Sequence, residues 1–153
     1  LRPDPPGFDI MPTSLRLDDG GIITAIRTRD ASGGGDWIDL MRSDDNGITW
    51  SHISTPSPET GTGGNTPAMI RLSDGRICLT YGFRDAPSGI HAVLSDDDGR
   101  SWGTEIVLRD DGGNHDIGYP RSVQRSDGCV VTVYYYNDSP DGERYIAATI
   151  WKP

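Results

Sequence analysis

Pro12-Thr-Ser-Leu-Arg-Leu-Asp-Asp-Gly20, Pro67-Ala-Met-Ile-Arg-Leu-Ser-Asp-Gly75 and Pro120-Arg-Ser-Val-Gln-Arg-Ser-Asp-Gly128 align without a gap, and this threefold match decides the fold. Proline and closing glycine stand eight positions apart in each copy, and successive copies start 55 and 53 residues apart. Each Asp-Gly leads into an apolar, β-rich run: Gly21–Thr28, Arg76–Phe83 and Cys129–Tyr136. Two strands joined through Asp-Gly form a hairpin, because glycine supplies the positive φ that such turns need. A third strand is predicted at Trp37–Arg42, Ile90–Leu94 and Arg144–Trp151, and short fourth strands at His52–Ser54 and Thr104–Leu108.

Four antiparallel strands repeating every ~50 residues are the pattern of propeller blades, whereas a helical solenoid would show a 3.6-residue apolar period. The fold predicted is therefore all-β, a β-propeller of which about three blades are present, over approximately 12–59, 67–110 and 120–153. The third repeat stops after its third strand. Its fourth strand is expected from Phe8–Met11 or from outside the chain. Three blades do not close a ring, so the sequence reads as the C-terminal half of one, with the N-terminal blades of the same chain as its missing partner and with open edge strands.

Composition agrees with this reading. Of 153 residues, 20 are glycine and 11 proline, which suits tight turns and argues against a helical bundle. A net charge of −9 counts against nucleic acid or an anionic membrane as a general partner. No apolar run approaches the ~20 residues of a membrane span. An anionic small substrate remains compatible if arginines cluster locally. Cys78 and Cys129 fall in predicted strands of different repeats, where a buried free thiol is the expected state and a disulfide or metal pair the alternative.

After the third strand, Ser43-Asp-Asp-Asn-Gly-Ile-Thr-Trp50 and Ser95-Asp-Asp-Asp-Gly-Arg-Ser-Trp102 share the pattern S-x-D-x-G-x-[ST]-W, the Asp-box. Asp45 and Asp97 are placed to accept the turn's own amides, Gly47 and Gly99 to take positive φ, and Trp50 and Trp102 to anchor the turn. Asp96-x-Asp98-Gly99-x5-Glu105 partly imitates a calcium loop, but Leu94 would hold its first ligand position and the first box lacks the closing glutamate. These turns read as structural, and no metal or organic cofactor is indicated.

Strand order separates scaffold from site. In a four-stranded antiparallel blade the Asp-Gly hairpins and Asp-boxes lie at one end, and the second-to-third loops with the blade connections at the other. The second end is predicted to carry the long loops Arg27–Asp36, Pro58–Thr66, Phe83–Ser88, Asp110–Tyr119 and Asn137–Glu143. They hold Arg27, Arg29, Arg84, His115, Asp116 and Tyr119, with Arg121 just beyond. Each arginine alone reads equally as a solvated loop residue; several converging would grip a carboxylate, which the guanidinium fork matches.

At Trp37-Ile-Asp-Leu-Met-Arg-Ser43, Leu79-Thr-Tyr-Gly-Phe-Arg84 and Ile117-Gly-Tyr-Pro-Arg-Ser-Val-Gln124 the chain resembles the sialidase superfamily, six-bladed propellers with Asp-boxes, and most of all its bacterial sialidase-like group with BNR-type repeats. The closing Arg144-Tyr-Ile-Ala-Ala-Thr-Ile-Trp151 extends the likeness. The resemblance implies a glycoside hydrolase of exo-α-sialidase type acting on a terminal acidic sugar, and a secreted or periplasmic location. It implies that Arg27 and Arg84 hold the sugar carboxylate and that Tyr119 is the nucleophile or oxocarbenium stabiliser. It leaves Arg29, His115 and Arg121 as further substrate-binding residues. Met11 stands where the family has the glutamate that assists the tyrosine, and Asp116, beside His115, is the candidate substitute base. The first arginine and the acid/base aspartate of the family would lie upstream. The alternative is a non-catalytic propeller that binds glycan or protein through the same loops, which the methionine favours.

Overall fold

A computed structural model describes Leu1 and residues 7–153. Among these residues every regular element is a strand, and no helix is long and apolar enough to cross a membrane. β1 (Gly7–Arg16), β2 (Ile22–Asp30), β3 (Asp36–Ser43) and β4 (Ser51–Ser57) form one antiparallel sheet in that order. β5 (Ala68–Arg71), β6 (Ile77–Phe83), β7 (Ser88–Ser95) and β8 (Ile106–Gly112) form a second. β9 (Gly118–Gln124), β10 (Val130–Tyr136) and β11 (Tyr145–Trp151) form a third, of three strands. The architecture is all-β: three consecutive propeller blades.

Each aligned Pro-to-Gly segment supplies an inner strand, and β1, β5 and β9 touch one another in blade order. Side chains of alternate strand positions fill the space between blades. Ile23, Ala25, Ile38 and Leu40 of the first blade meet Ile77, Leu79, Tyr81 and Val93 of the second in one buried cluster. Ile90 packs with Ile117, Tyr134 and Tyr136 between the second and third blades, and Leu72, Cys78 and Val130 form a smaller cluster there. Both cysteines are free; Cys78 is buried in β6 and Cys129 is half-buried just before β10.

Two expectations are corrected. Phe8–Met11 does not complete the third blade: these residues belong to β1 and pair with β2, with Phe8 opposite Arg29 and Ile10 opposite Arg27. Arg27 and Arg29 therefore sit on β2, whose pairing runs to Asp30 with β1 and to Arg29 with β3, and the loop shrinks to residues 31–35.

The register sorts the two ends of the blades. Arg16, Ile22 and Ser43 are aligned across the first blade, so the hairpin and the Ser43–Trp50 turn share an end. Arg29 pairs with Asp36 at the other end, and Gly118, beside Tyr119, pairs with Tyr135 at the corresponding end of the third blade. In the first turn, Asp45 Oδ1 accepts the amides of Ile48 at 3.0 Å and Thr49 at 2.8 Å, while Ser43 Oγ accepts the Gly47 amide at 2.8 Å. Asp97 Oδ1 accepts the Ser101 amide at 2.8 Å in the second. Both turns carry two successive positive φ angles, at Asn46 (62°) and Gly47 (94°), and at Asp98 (59°) and Gly99 (84°). The sequence pattern points only to the glycines; asparagine and aspartate tolerate the left-handed region better than most residues.

Candidate functional site

Arg27 lies on the central part of β2, and Arg84 directly follows β6. Together with Arg29, Thr62, Gly63, Asp85 and His115 they line one cavity of about 470 Å3, at the end of the blades away from Trp50 and Trp102. The segment Thr60–Asn65 threads between the first two blades and brings the arginines to a common space. Thr60 N–H donates to Asp36 O at 2.8 Å, and Arg84 N–H donates to Thr60 O at 3.0 Å. Gly63 and Gly64 take φ of 85° and 56°, and a Cβ on Gly64 would stand 2.9 Å from Arg27 Nε. Only glycine lets the backbone pass so close to the guanidinium.

The three arginines differ in what already holds them. Arg29 is bidentate on Asp36, at 2.9 and 3.3 Å, with its guanidinium 5.4 Å from the Phe8 ring. Its fork is occupied. Arg27 is 8% exposed; Nη2 donates to Gly63 O and Nη1 makes a long contact of 3.6 Å to Met11 Sδ. Arg84 Nη2 donates to the Tyr135 hydroxyl at 3.2 Å and to Ile117 O at 3.4 Å. The Nε atoms of both Arg27 and Arg84 are buried without a hydrogen-bond partner. Burial and the nearby Arg84 charge lower the pKa of Arg27, so a negative charge entering here relieves both. A second cavity of about 500 Å3 shares Arg29, Thr62 and Asp85 and is lined by Asp30, Asp36 and Glu59, so the basic character is confined to one compartment.

Tyr119 is on β9, 42% exposed, with φ of 49°. Met11, the residue before the aligned proline of the first blade, has φ of 55°. Two non-glycine residues preceding prolines thus hold the same sparsely populated backbone conformation at the entry of inner strands, where strain of this kind often accompanies a site. The Met11 side chain reaches across the inner strands, with Thr66 Oγ1 2.8 Å from Sδ. Asn65, fully buried, fixes Tyr119 by accepting its N–H at 3.1 Å.

The Asp116 carboxylate is engaged by groups other than Tyr119. Asp116 Oδ1 accepts the Tyr135 hydroxyl at 2.8 Å and Oδ2 accepts Arg144 Nε at 2.8 Å. These two donors, Tyr135 first, outweigh burial and hold the Asp116 carboxyl below its usual range. Burial, with the Asp116 hydrogen bond, pushes the Tyr135 phenol up to about 12. The rings of Tyr119 and Tyr135 lie 5.7 Å apart. Arg121 turns Nη1 back onto Pro120 O at 2.8 Å and stays outside the cavity lining. Sequence reasoning missed Tyr135, Asn65 and the Gly61–Gly64 segment. The alternation in Tyr134-Tyr135-Tyr136 was the available signal, since the middle tyrosine must face away from the core that buries its neighbours. No group of three His, Cys, Asp or Glu side chains suited to a metal ion occurs among the described residues.

Three antiparallel blades with hairpin-linked inner strands and loops gathered around arginines define a BNR-type propeller. The chain belongs to the BNR repeat-like domain family, whose model matches residues 7–133. A protein of unknown function from Dyadobacter fermentans is similar at 33% identity and a TM-score of 0.78, over 94% of this chain and 38% of that one. The α-L-arabinanase of Penicillium chrysogenum, solved with arabinobiose, matches at 17% identity and a TM-score of 0.72, over 94% and 46% of the two chains. A Hadza microbial sialidase matches at 18% and 0.62, over 92% and 34%. The chain thus spans less than half the length of these structures. No curated protein matches it.

Proposed function

We propose that this chain is part of a sialidase-like glycoside hydrolase that acts on a terminal acidic sugar, and that Arg27 and Arg84 grip the sugar carboxylate. One observation carries the reading: two guanidinium groups line the same cavity, each with a buried and unpartnered Nε. A carboxylate entering this cavity gains charge-assisted hydrogen bonds from the guanidinium edges that line it and offsets the mutual repulsion of the two charges. Hydrolase propellers among the similar structures support the coarse assignment to a glycoside-hydrolase-like fold. The paired arginines are what favour an acidic sugar over a neutral one. Tyr119 stands at the inner-strand entry as nucleophile or as the group that stabilises an oxocarbenium ion.

A second reading is favoured by Met11. A thioether neither takes a proton from a phenol nor activates it, so the same cavity would bind an acidic glycan without cleaving it. The full ring decides between the two. In a full-length parent that releases fluorophore from a sialoside, Tyr119→Phe is expected to lower turnover by two orders of magnitude or more, in the range that loss of an activated nucleophile costs. Full activity in the variant removes Tyr119 from the chemistry. Saturable binding of acidic glycans without turnover selects the second reading. The chain by itself is expected to release no fluorophore.

A further inference from the structure

We propose that Tyr135 is the positioning residue for Arg84: its phenol, oriented by Asp116 and Arg144, holds the guanidinium so that Nη1 faces the cavity. The proposal rests on the carboxylate reading above and assigns the residue that makes one of its two arginines ready to bind.

Tyr134 and Tyr136 are 2% and 0% exposed and pack against each other edge to face in the core between blades. Tyr135, one position out of phase on β10, stands on the other face of the sheet, half-buried, against the ring of Tyr119. Its side chain is not needed to fill that core.

Hydrogen-bond polarity then follows by elimination. A phenol has one proton to donate. Asp116 Oδ1, 2.8 Å away, is a carboxylate oxygen and accepts only, so the proton points there. The Tyr135 oxygen must present a lone pair elsewhere, and Arg84 Nη2, at 3.2 Å, is the donor in reach. Arg144 Nε on Asp116 Oδ2 and the Asn114 Oδ1 on the Asp116 amide at 2.9 Å keep the carboxylate in place. The chain of bonds therefore runs in one sense, from Arg84 to Tyr135 to Asp116, with Arg144 closing it from the far side. The other contact of Nη2, to Ile117 O, is longer at 3.4 Å.

The consequence for Arg84 is selective. Nη2 is used, Nε is unpartnered, and Nη1 lies toward Gly63, whose added Cβ would stand 3.9 Å from it. Gly63 is itself part of the cavity lining. An arginine loses considerable rotamer freedom when it clamps a ligand, and an anchor that restricts it beforehand recovers affinity. This gives Asp116 a task that differs from serving Tyr119 as a base: it sets the direction of the phenol proton.

The test uses this 153-residue chain, with N-acetylneuraminic acid as the probe and 15N relaxation of the Arg84 Nε–H group as a readout that needs no ligand. Tyr135→Phe keeps the ring and deletes only the hydroxyl. It is expected to weaken binding of the acid about tenfold, as loss of a hydrogen bond to a charged group does. The double variant with Arg84→Gln should bind no more weakly than Arg84→Gln alone, because both changes act through one guanidinium. Loss of packing would instead add to the Arg84 effect. The Nε–H group should be ordered in the parent chain and mobile in Tyr135→Phe. Unchanged affinity in Tyr135→Phe beside a weakened Arg84→Gln overturns the positioning role and leaves the carboxylate reading intact. If the acid does not bind the parent chain, the carboxylate reading fails, and equal order of Nε–H with and without the phenol overturns the positioning role as well.

Discussion

Asn65 and Tyr119 are joined across the inner strands: Asn65 Oδ1 accepts the Tyr119 amide at 3.1 Å while Asn65 Nδ2 donates to Ile117 O at 2.8 Å. One amide side chain from the connection between the first two blades therefore fixes the start of the third. Its surroundings are built for it. A Cβ on Gly118 would fall 2.1 Å from Asn65 Nδ2, and one on Gly82 would fall 2.7 Å from it.

Asn65→Ala should accordingly be destabilising by about 1–3 kcal/mol for each backbone group it leaves buried and unpaired. Gly118→Ala should be worse still, since its φ of 118° is also unfavourable to alanine. Urea denaturation measures both. A loss below about 0.5 kcal/mol for Asn65→Ala, the range of an ordinary surface substitution, contradicts the pinning role.

The two tryptophans of the Asp-box turns should not be equivalent. Trp102 Nε1 donates to Ser54 Oγ at 3.1 Å, and Ser54 donates to Gly99 O at 2.5 Å, so the second turn is tied to the first blade. Trp50 Nε1 is spent on Gly47 O of its own turn, at 3.0 Å. Trp102→Phe is expected to cost about 1 kcal/mol more than Trp50→Phe, the worth of one inter-blade hydrogen bond. Equal losses in paired denaturation curves would show that Trp102 is not a link between blades.

Acid should weaken the same turns. The Asp45 carboxyl is held at about 2 by the Thr49 hydroxyl and amide and by Ser43. Asp97 is also held at about 2; burial raises it, but the donors of Ser101 and Ser95 prevail. A depressed folded pKa adds stability above the unfolded value of about 3.9, and that stability is lost as the pH falls through about 2. The melting temperature should therefore drop between pH 4 and pH 2, and Asp45→Asn with Asp97→Asn should flatten that part of the profile. An unchanged slope in the double variant places the acid sensitivity elsewhere.

The repeats made the fold legible because hairpin glycines, alternating apolar strands and the Asp-box turns are all local signals. What they do not encode is where a strand stops. Arg27 and Arg29 look like loop residues in sequence, yet pairing with Ile10 and Phe8 carries β2 past both. Phe8–Met11 has no repeat signal of its own, and only its backbone partners assign it to the first blade. The site was legible in part: Arg27, Arg84 and His115 do meet in one cavity. Asp116 and Arg29 carry the right chemistry but are held by Arg144 and Asp36, respectively, contacts between segments that no spacing rule reveals. Tyr135 was hidden among tyrosines that belong to the core.

Thiol chemistry offers a simple check on inter-blade packing. Burial pushes the Cys78 thiol up to about 12, and no part of its residue is exposed. A disulfide reagent at pH 8 finds on the order of one thiolate in 10,000 at such a site. Cys129, half-buried at a turn, is the accessible one. The folded chain is expected to react once, with the second thiol titrating only in denaturant. Two rapid equivalents would mean that the cluster of Leu72, Cys78 and Val130 is open.

The central claim is that Arg27 and Arg84 form a carboxylate site. Calorimetric titration with N-acetylneuraminic acid and with its methyl ester, against the parent chain and Arg27→Gln, addresses it directly. The acid is expected to bind more tightly than the ester by about tenfold or more, and Arg27→Gln to abolish this preference, as loss of a charge-assisted pair should. Equal affinity for acid and ester in the parent chain would contradict it.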